Sequence, residues 1–206
     1  MSRERRFVTS LVEARAASDG AADAPTIIAG YGAVFGSPTN IGDYFIEEIA
    51  PGAFTAAIGR DDVRGLFNHD QNLILGRNKA GTLRLSEDDK GLAYEIDAPD
   101  TSAARDLMVS LKRGDVTQSS FCFIALREEW DDTGDLPKRT ILEAELLDVG
   151  PVTFAAYEDS EAGCRSAADV RDARLKPAPA ALDTAAAALK RQVEIDLRAR
   201  SLSRPA

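Results

Sequence analysis

The chain has 206 residues, 44% of them hydrophobic and 29% charged, which suits one ordinary domain with some extra length and excludes a disordered polyampholyte or a membrane protein. Against 34 acidic residues there are 25 basic ones, a net charge of -9, so neither nucleic acid nor an anionic membrane is expected as a partner. Two cysteines, Cys122 and Cys164, make no disulfide framework or zinc motif, and a single histidine, His69, excludes a multi-histidine metal site. No metal or cofactor is expected, and a reducing compartment fits the cysteine usage.

The N-terminus, MSRERRFVTS, is charged and has no apolar run of signal-peptide length. Residues 1–24 read as a flexible arm or a first strand followed by a loop. TIIAGYGAVFG (26–36) combines β-branched and aromatic residues with glycine, a strand pattern. FIEEIAPGAF (45–54) reads as a short strand, a Pro-Gly turn and the start of a short helix. VRGLFNHD (63–70) and LILGR (73–77) read as short strands. Residues 82–86 and 92–96 alternate apolar with polar around EDDKG, which predicts an antiparallel hairpin.

TSAARDLMVSLKRGD (101–115) is a helix pattern: Asp100 or Thr101 caps it, Ala104, Leu107, Met108 and Leu111 share a face, and Gly114 ends it. Long strands are expected at 116–130 and 139–157, the second broken or bulged at Gly150 and Pro151. After Tyr157 the chain turns small, charged and proline-bearing, so 161–206 reads as a linker and a C-terminal amphipathic helix with Leu182, Ala186, Leu189, Val193 and Leu197 on one stripe. The domain itself is bounded at 25–160. Its fold class is mainly β with surrounding helices.

Three segments carry chemistry-bearing side chains. His69, in NHD at the end of an apolar strand, is placed to project into a cleft and titrate near neutral pH; the plain alternative is a histidine with no role. In QSSFCF (118–123), alternation puts Ser120 and Cys122 on one face and Ser119, Phe121 and Phe123 on the other. A serine needs a base within reach to act as a nucleophile, so the pair alone says little. EAELLDV (143–149) offers Glu143 and Glu145 on one strand face and Asp148 with Leu146 and Gly150 on the other. A carboxylate of this kind can orient an imidazole.

Taken in order, Gly32 and Phe35, Glu48 with Pro51, Gly52, Ala53 and Phe54, then FNHD, LGR, GTL, GL, PDT, a helix ending KRGD, SSFCF and RTILEAELLDVGPVTFAAY resemble the prohead (capsid maturation) serine proteases of tailed bacteriophages. The resemblance covers about residues 27–160. It implies an assemblin-like closed β-barrel, as in the herpesvirus assemblins, and a serine endopeptidase that cleaves a scaffold or major capsid protein precursor, and itself, during prohead maturation. The expected location is the bacterial host cytoplasm, inside the assembling prohead, with self-association as a further expectation. The family's histidine falls on His69 and its nucleophile on Ser120. Its acidic residue falls on Asp148 by the family's Leu-x-Glu-Val-Ser segment, but on Glu145 or Glu143 by the assemblin interval, which favours Glu145. Gly150, Ala155 and Cys122 depart from the residues the family commonly carries. An assembly module with a vestigial site is the alternative, and a small-molecule esterase is disfavoured because no GxSxG elbow is present.

Overall fold

The computed structural model describes residues 3–8, 12–16, 26–154, 168, 170–172 and 174–175. In chain order the elements are β1 (Glu4–Val8), β2 (Glu13–Ala16), β3 (Thr26–Val34), β4 (Thr39–Ile41), β5 (Phe45–Ile49), α1 (Thr55–Arg60), β6 (Arg64–Leu66), β7 (Ile74–Arg77), β8 (Leu83–Glu87), β9 (Gly91–Asp97), α2 (Ser102–Arg113), β10 (Gln118–Asp131) and β11 (Lys138–Val152).

They form two sheets. The larger, of seven strands, runs β1-β10-β11-β5-β4, with β6 on β11 and β7 on β6; the smaller runs β2-β3-β9-β8. The two long strands β10 and β11 pair antiparallel over nearly their whole length. The other edge of β11 is shared: its start pairs in parallel with β5 and its end with β6.

A single core cluster draws on both sheets. Ile28, Leu92, Tyr94 and Ile96 come from the smaller sheet, and Phe121, Phe123, Ile141, Leu146 and Val149 from the larger. Phe54, just before α1, meets the edge of Phe121 at 5.7 Å, and Phe121 stacks on Phe123 at 5.1 Å. On α2 the buried residues are Ala104, Leu107, Met108 and Leu111, as the spacing predicts. Thr101 accepts the Ala104 amide at its N-terminus, and Gly114 ends the helix in the left-handed conformation at φ 80°.

Mainly β with a few helices is the observed class, but no closed barrel forms among the described residues. Closure requires every edge strand to find a partner. Here β4, three residues long, pairs only with β5, while β2 and β8 end the smaller sheet. A break in the last strand at Gly150 and Pro151 is not seen either: both sit in the ladder, opposite Ser120 and Ser119, and the irregularities fall at Cys122/Phe123 and around Arg127. The chain divides into compact units at 1–169 and 170–206. Residues 170–172 and 174–175 of the second are helical. The linker, the amphipathic helix expected near 180–200, Ala155 and Cys164 lie outside the described residues.

One feature of the larger sheet was not legible in the sequence. Glu4, Glu47 and Arg139 are almost fully buried, at 3%, 3% and 2% exposure. Arg139 donates to Glu4 at 2.6 and 2.9 Å, to Glu47 at 2.8 Å and to Glu128 at 2.7 Å, while Arg6 bonds Glu47 at 2.9 Å and Glu4 at 2.7 Å. The cluster ties β1 to β5, β10 and β11. Burial alone would raise the Glu47 pKa, but Arg6 and Arg139 outweigh it and hold the carboxyl below its ordinary value. Its contribution to stability is therefore complete above the ordinary glutamate value of 4.5 and is lost as pH falls through the lower folded value. Urea unfolding followed against pH should show this loss in the wild type and a smaller slope in Glu47→Gln. Arg139→Met, which leaves the buried Glu4 and Glu47 to share Arg6 alone, should cost about 3–5 kcal/mol in the same assay at neutral pH.

Candidate active site

β10 and β11 supply two of the sequence-selected residues, and the segment after β6 supplies the third. Ser120 lies opposite Gly150, and Cys122 opposite Asp148. β6 runs parallel to the end of β11, with Arg64 and Gly65 opposite Asp148 and Val149, so the chain leaves β6 at Leu66 and reaches His69 directly beside that end. There His69 Nδ1 bonds Asp148 Oδ1, and His69 Nε2 lies 2.5 Å from Ser120 Oγ. One imidazole thus bridges a carboxylate and a hydroxyl through its two nitrogens. The His69 side chain is only 5% exposed and Asp148 13%, so the pair is largely withdrawn from water.

Local structure explains why Ser120 and not Ser119 meets the imidazole. Alternation along β10 sends Ser119 to the core side, where its hydroxyl shares a hydrogen bond of 2.7 Å with Tyr94. Burial pushes the Tyr94 hydroxyl pKa well up, so Tyr94 stays protonated. Ser119 is thereby committed to a structural contact between the two sheets. Ser120 is fully buried as well, and its Oγ also lies 2.9 Å from the main-chain carbonyl of Arg6, on the neighbouring strand β1.

For the acidic residue, the structure brings Asp148 to His69 and leaves Glu145 and Glu143 elsewhere, against the preference for Glu145. The reason is a bulge. Cys122 pairs with Asp148 but Phe123 pairs with Leu146, which leaves Leu147 as an extra residue in β11. Past it the alternation reverses, so Leu146 is buried in the core while Asp148 turns to the Ser120 side, and the expected sharing of one face by Asp148 and Leu146 fails. Glu145 lies opposite Ile124, two residues farther along β10 than Cys122, or about 7 Å at the usual strand rise. Glu143 instead meets Arg60 at 3.5 Å.

Cys122 neighbours Ser120 along the same strand face. Burial, followed by the negative charge of Asp148, pushes its thiol pKa up to about 11, so at neutral pH it is an un-ionised thiol and a poor nucleophile beside Ser120. Among the described residues no group of three or more His, Cys, Asp or Glu side chains could hold a metal ion.

A model of the caudovirus prohead serine protease family matches residues 12–173. The chain belongs to this family. Its class of activity is that of a serine protease hydrolase, and its setting is phage capsid maturation. Among solved structures the chain is similar to the capsid assembly protease gp21 of bacteriophage T4, with a TM-score of 0.51 and 10% identity over 73% of this chain and 96% of that one. At that identity the likeness speaks for the fold. No curated protein matches the chain. The matched region contains His69, Ser120 and Asp148, while β1 precedes it.

Gly150, where the family commonly has Ser, sits opposite Ser120 and under β6. A Cβ built there would lie 1.9 Å from the Leu66 carbonyl oxygen. The missing side chain lets the strand leading to His69 lie close against β11. Gly150→Ala should therefore destabilise the fold by about 1–3 kcal/mol, read from the urea midpoint, since backbone rather than a flexible side chain must give way.

Proposed function

We propose that the chain is an endopeptidase whose nucleophile is Ser120, whose general base is His69 and whose orienting carboxylate is Asp148. The bridging of Ser120 and Asp148 by the two nitrogens of His69 carries this reading. Asp148 fixes the imidazole as the tautomer with the proton on Nδ1, which leaves the Nε2 lone pair facing Ser120. Nε2 takes the hydroxyl proton as Oγ attacks the scissile carbonyl, and returns it to the leaving amine when the peptide bond breaks. Water, deprotonated by the same nitrogen, then releases the acyl group.

The substrate class follows from the family and from the neighbour, itself a capsid assembly protease. It is the scaffold or capsid-precursor protein, cleaved inside the assembling prohead in the bacterial host. Self-cleavage and self-association belong to the same reading.

Access is the step that the resting geometry withholds. Ser120 has one hydroxyl proton and two acceptors, His69 Nε2 and the Arg6 carbonyl, and it is fully buried. A peptide carbonyl reaches Oγ only when β1 gives way. The same burial favours a second reading, an assembly module in which the site no longer turns over.

Co-expression with the capsid precursor tests the first reading. Ser120→Ala and His69→Ala should each abolish cleavage, Asp148→Asn should lower its rate by about 10⁴-fold, and Glu145→Gln should leave it near wild type. Cleavage by Ser120→Ala would overturn the assignment. A fluorophosphonate probe separates the two readings. The enzyme labels at Ser120, and faster when Arg6→Ala loosens β1; the module labels in neither form.

A further inference from the structure

We infer that Asn68 is a positioning residue that acts through His69, holding the imidazole at the meeting point of Ser120 and Asp148; its role in turnover rests on the protease reading above. Asn68 and His69 are consecutive non-glycine residues in the left-handed region, at φ 54° and 56°. Such a backbone is disfavoured against the ordinary helical or extended one, and persists only where its surroundings enforce it. Asparagine tolerates this conformation better than most residues.

The enforcement comes from Asn68. Its backbone amide donates to the Pro151 carbonyl at 3.1 Å. Its side-chain Oδ1 accepts the Thr153 amide at 2.8 Å, and its Nδ2 donates to Thr153 Oγ1 at 3.0 Å. All three bonds fall on 151–153, immediately after the stretch of β11 that bears Asp148. The far side of the turn is closed separately. The Asp70 amide donates to the Phe67 carbonyl, the Leu73 amide to the Asp70 carbonyl, and the Asn72 amide to Asp70 Oδ1. The residue before the imidazole is thus clamped to the strand that carries its carboxylate partner, and a shift of that strand carries both along.

The amide is matched to this task in both halves. Thr153 N–H can only donate, which fixes Oδ1 towards it and leaves Nδ2 for the hydroxyl. Aspartate would keep the acceptor, lose the donor and bring a negative charge beside the imidazole. Glycine would keep the left-handed backbone and lose both side-chain bonds, so it separates the clamp from the conformation.

His69 is the only histidine, so its ring signals in a ¹⁵N NMR spectrum are unambiguous. In folded Asn68→Gly the downfield Nδ1 proton, shielded from exchange by Asp148, is expected to broaden or vanish. Thr153→Val, which removes one bond and keeps the Thr153 amide, should give a weaker form of the glycine effect; it serves if Asn68→Gly does not fold. Unchanged His69 signals in folded Asn68→Gly, or in folded Thr153→Val where the glycine variant does not fold, would overturn the inference, whether or not Ser120 reacts. Fluorophosphonate labelling reports on the protease reading separately. Where wild type labels, Asn68→Gly should label on the order of a hundredfold more slowly, the loss expected of a slightly misplaced base. Wild-type labelling that matches Ser120→Ala would sink the protease reading and leave the NMR result to judge the clamp.

Discussion

β11 is the strand on which the rest of the site depends, because both of its edges are occupied and each edge delivers a different group. Its ladder with β10 fixes Ser120 opposite Gly150, and its short parallel ladder with β6 aims the chain at His69. Its own residue, Asp148, completes the set. Backbone hydrogen bonds set the spacing of these strands, and the turn at His69 is held in addition by the Asn68 side chain. A single extra residue, Leu147, turns Asp148 to the side on which it is needed. Bulges re-aim side chains in this way at a small cost in local pairing.

Such a strand must itself be held at both ends. At the start of β11, Arg139 sits between Glu4, Glu47 and Glu128, and Arg6 shares the first two. A buried group of this kind adds little net stability over an apolar one of equal volume, because desolvating Glu4, Glu47, Arg6 and Arg139 offsets most of their attraction. What it enforces is register, since Glu4 and Arg6 on β1 cannot slip by a residue without leaving a charge unpaired in the interior. Slippage is the particular hazard for β1, a five-residue edge strand at the far end of the sheet. The register so fixed is the one that lays the Arg6 carbonyl against the Ser120 hydroxyl. Sheet integrity and the closed state of the serine therefore share one cause.

The parts of the molecule legible in the sequence are those set by local rules. Leu92, Tyr94 and Ile96 alternate because one face of β9 is buried, and the α2 caps follow from Thr101 and Gly114. Ser120 could be told from Ser119 by two-residue periodicity over six residues. The choice between Asp148 and Glu145 could not be made this way, because alternation was carried across Leu147, where the strand breaks it. An interval taken from the assemblins ignored the same residue. Barrel closure was illegible for a related reason: it depends on whether edges such as β4 and β8 find partners, which strand patterns do not encode. The ionic cluster joins residues up to 135 positions apart and had no local signature at all. Nor did the left-handed pair at Asn68 and His69, since neither residue type demands that backbone.

The departures from the family's usual residues fit this geometry. A glycine at 150 removes the one side chain that would separate Leu66 from β11, so the His69 turn seats directly on the strand that presents Asp148. A cysteine at 122 fills the position between Ser120 and the bulge with a thiol that stays un-ionised beside a carboxylate. An ionised neighbour there would set a second charge against Asp148 and compete for the imidazole. The site thus keeps one charge beside the imidazole, and the lone histidine, first useful only for excluding a metal centre, becomes the group that joins serine and carboxylate.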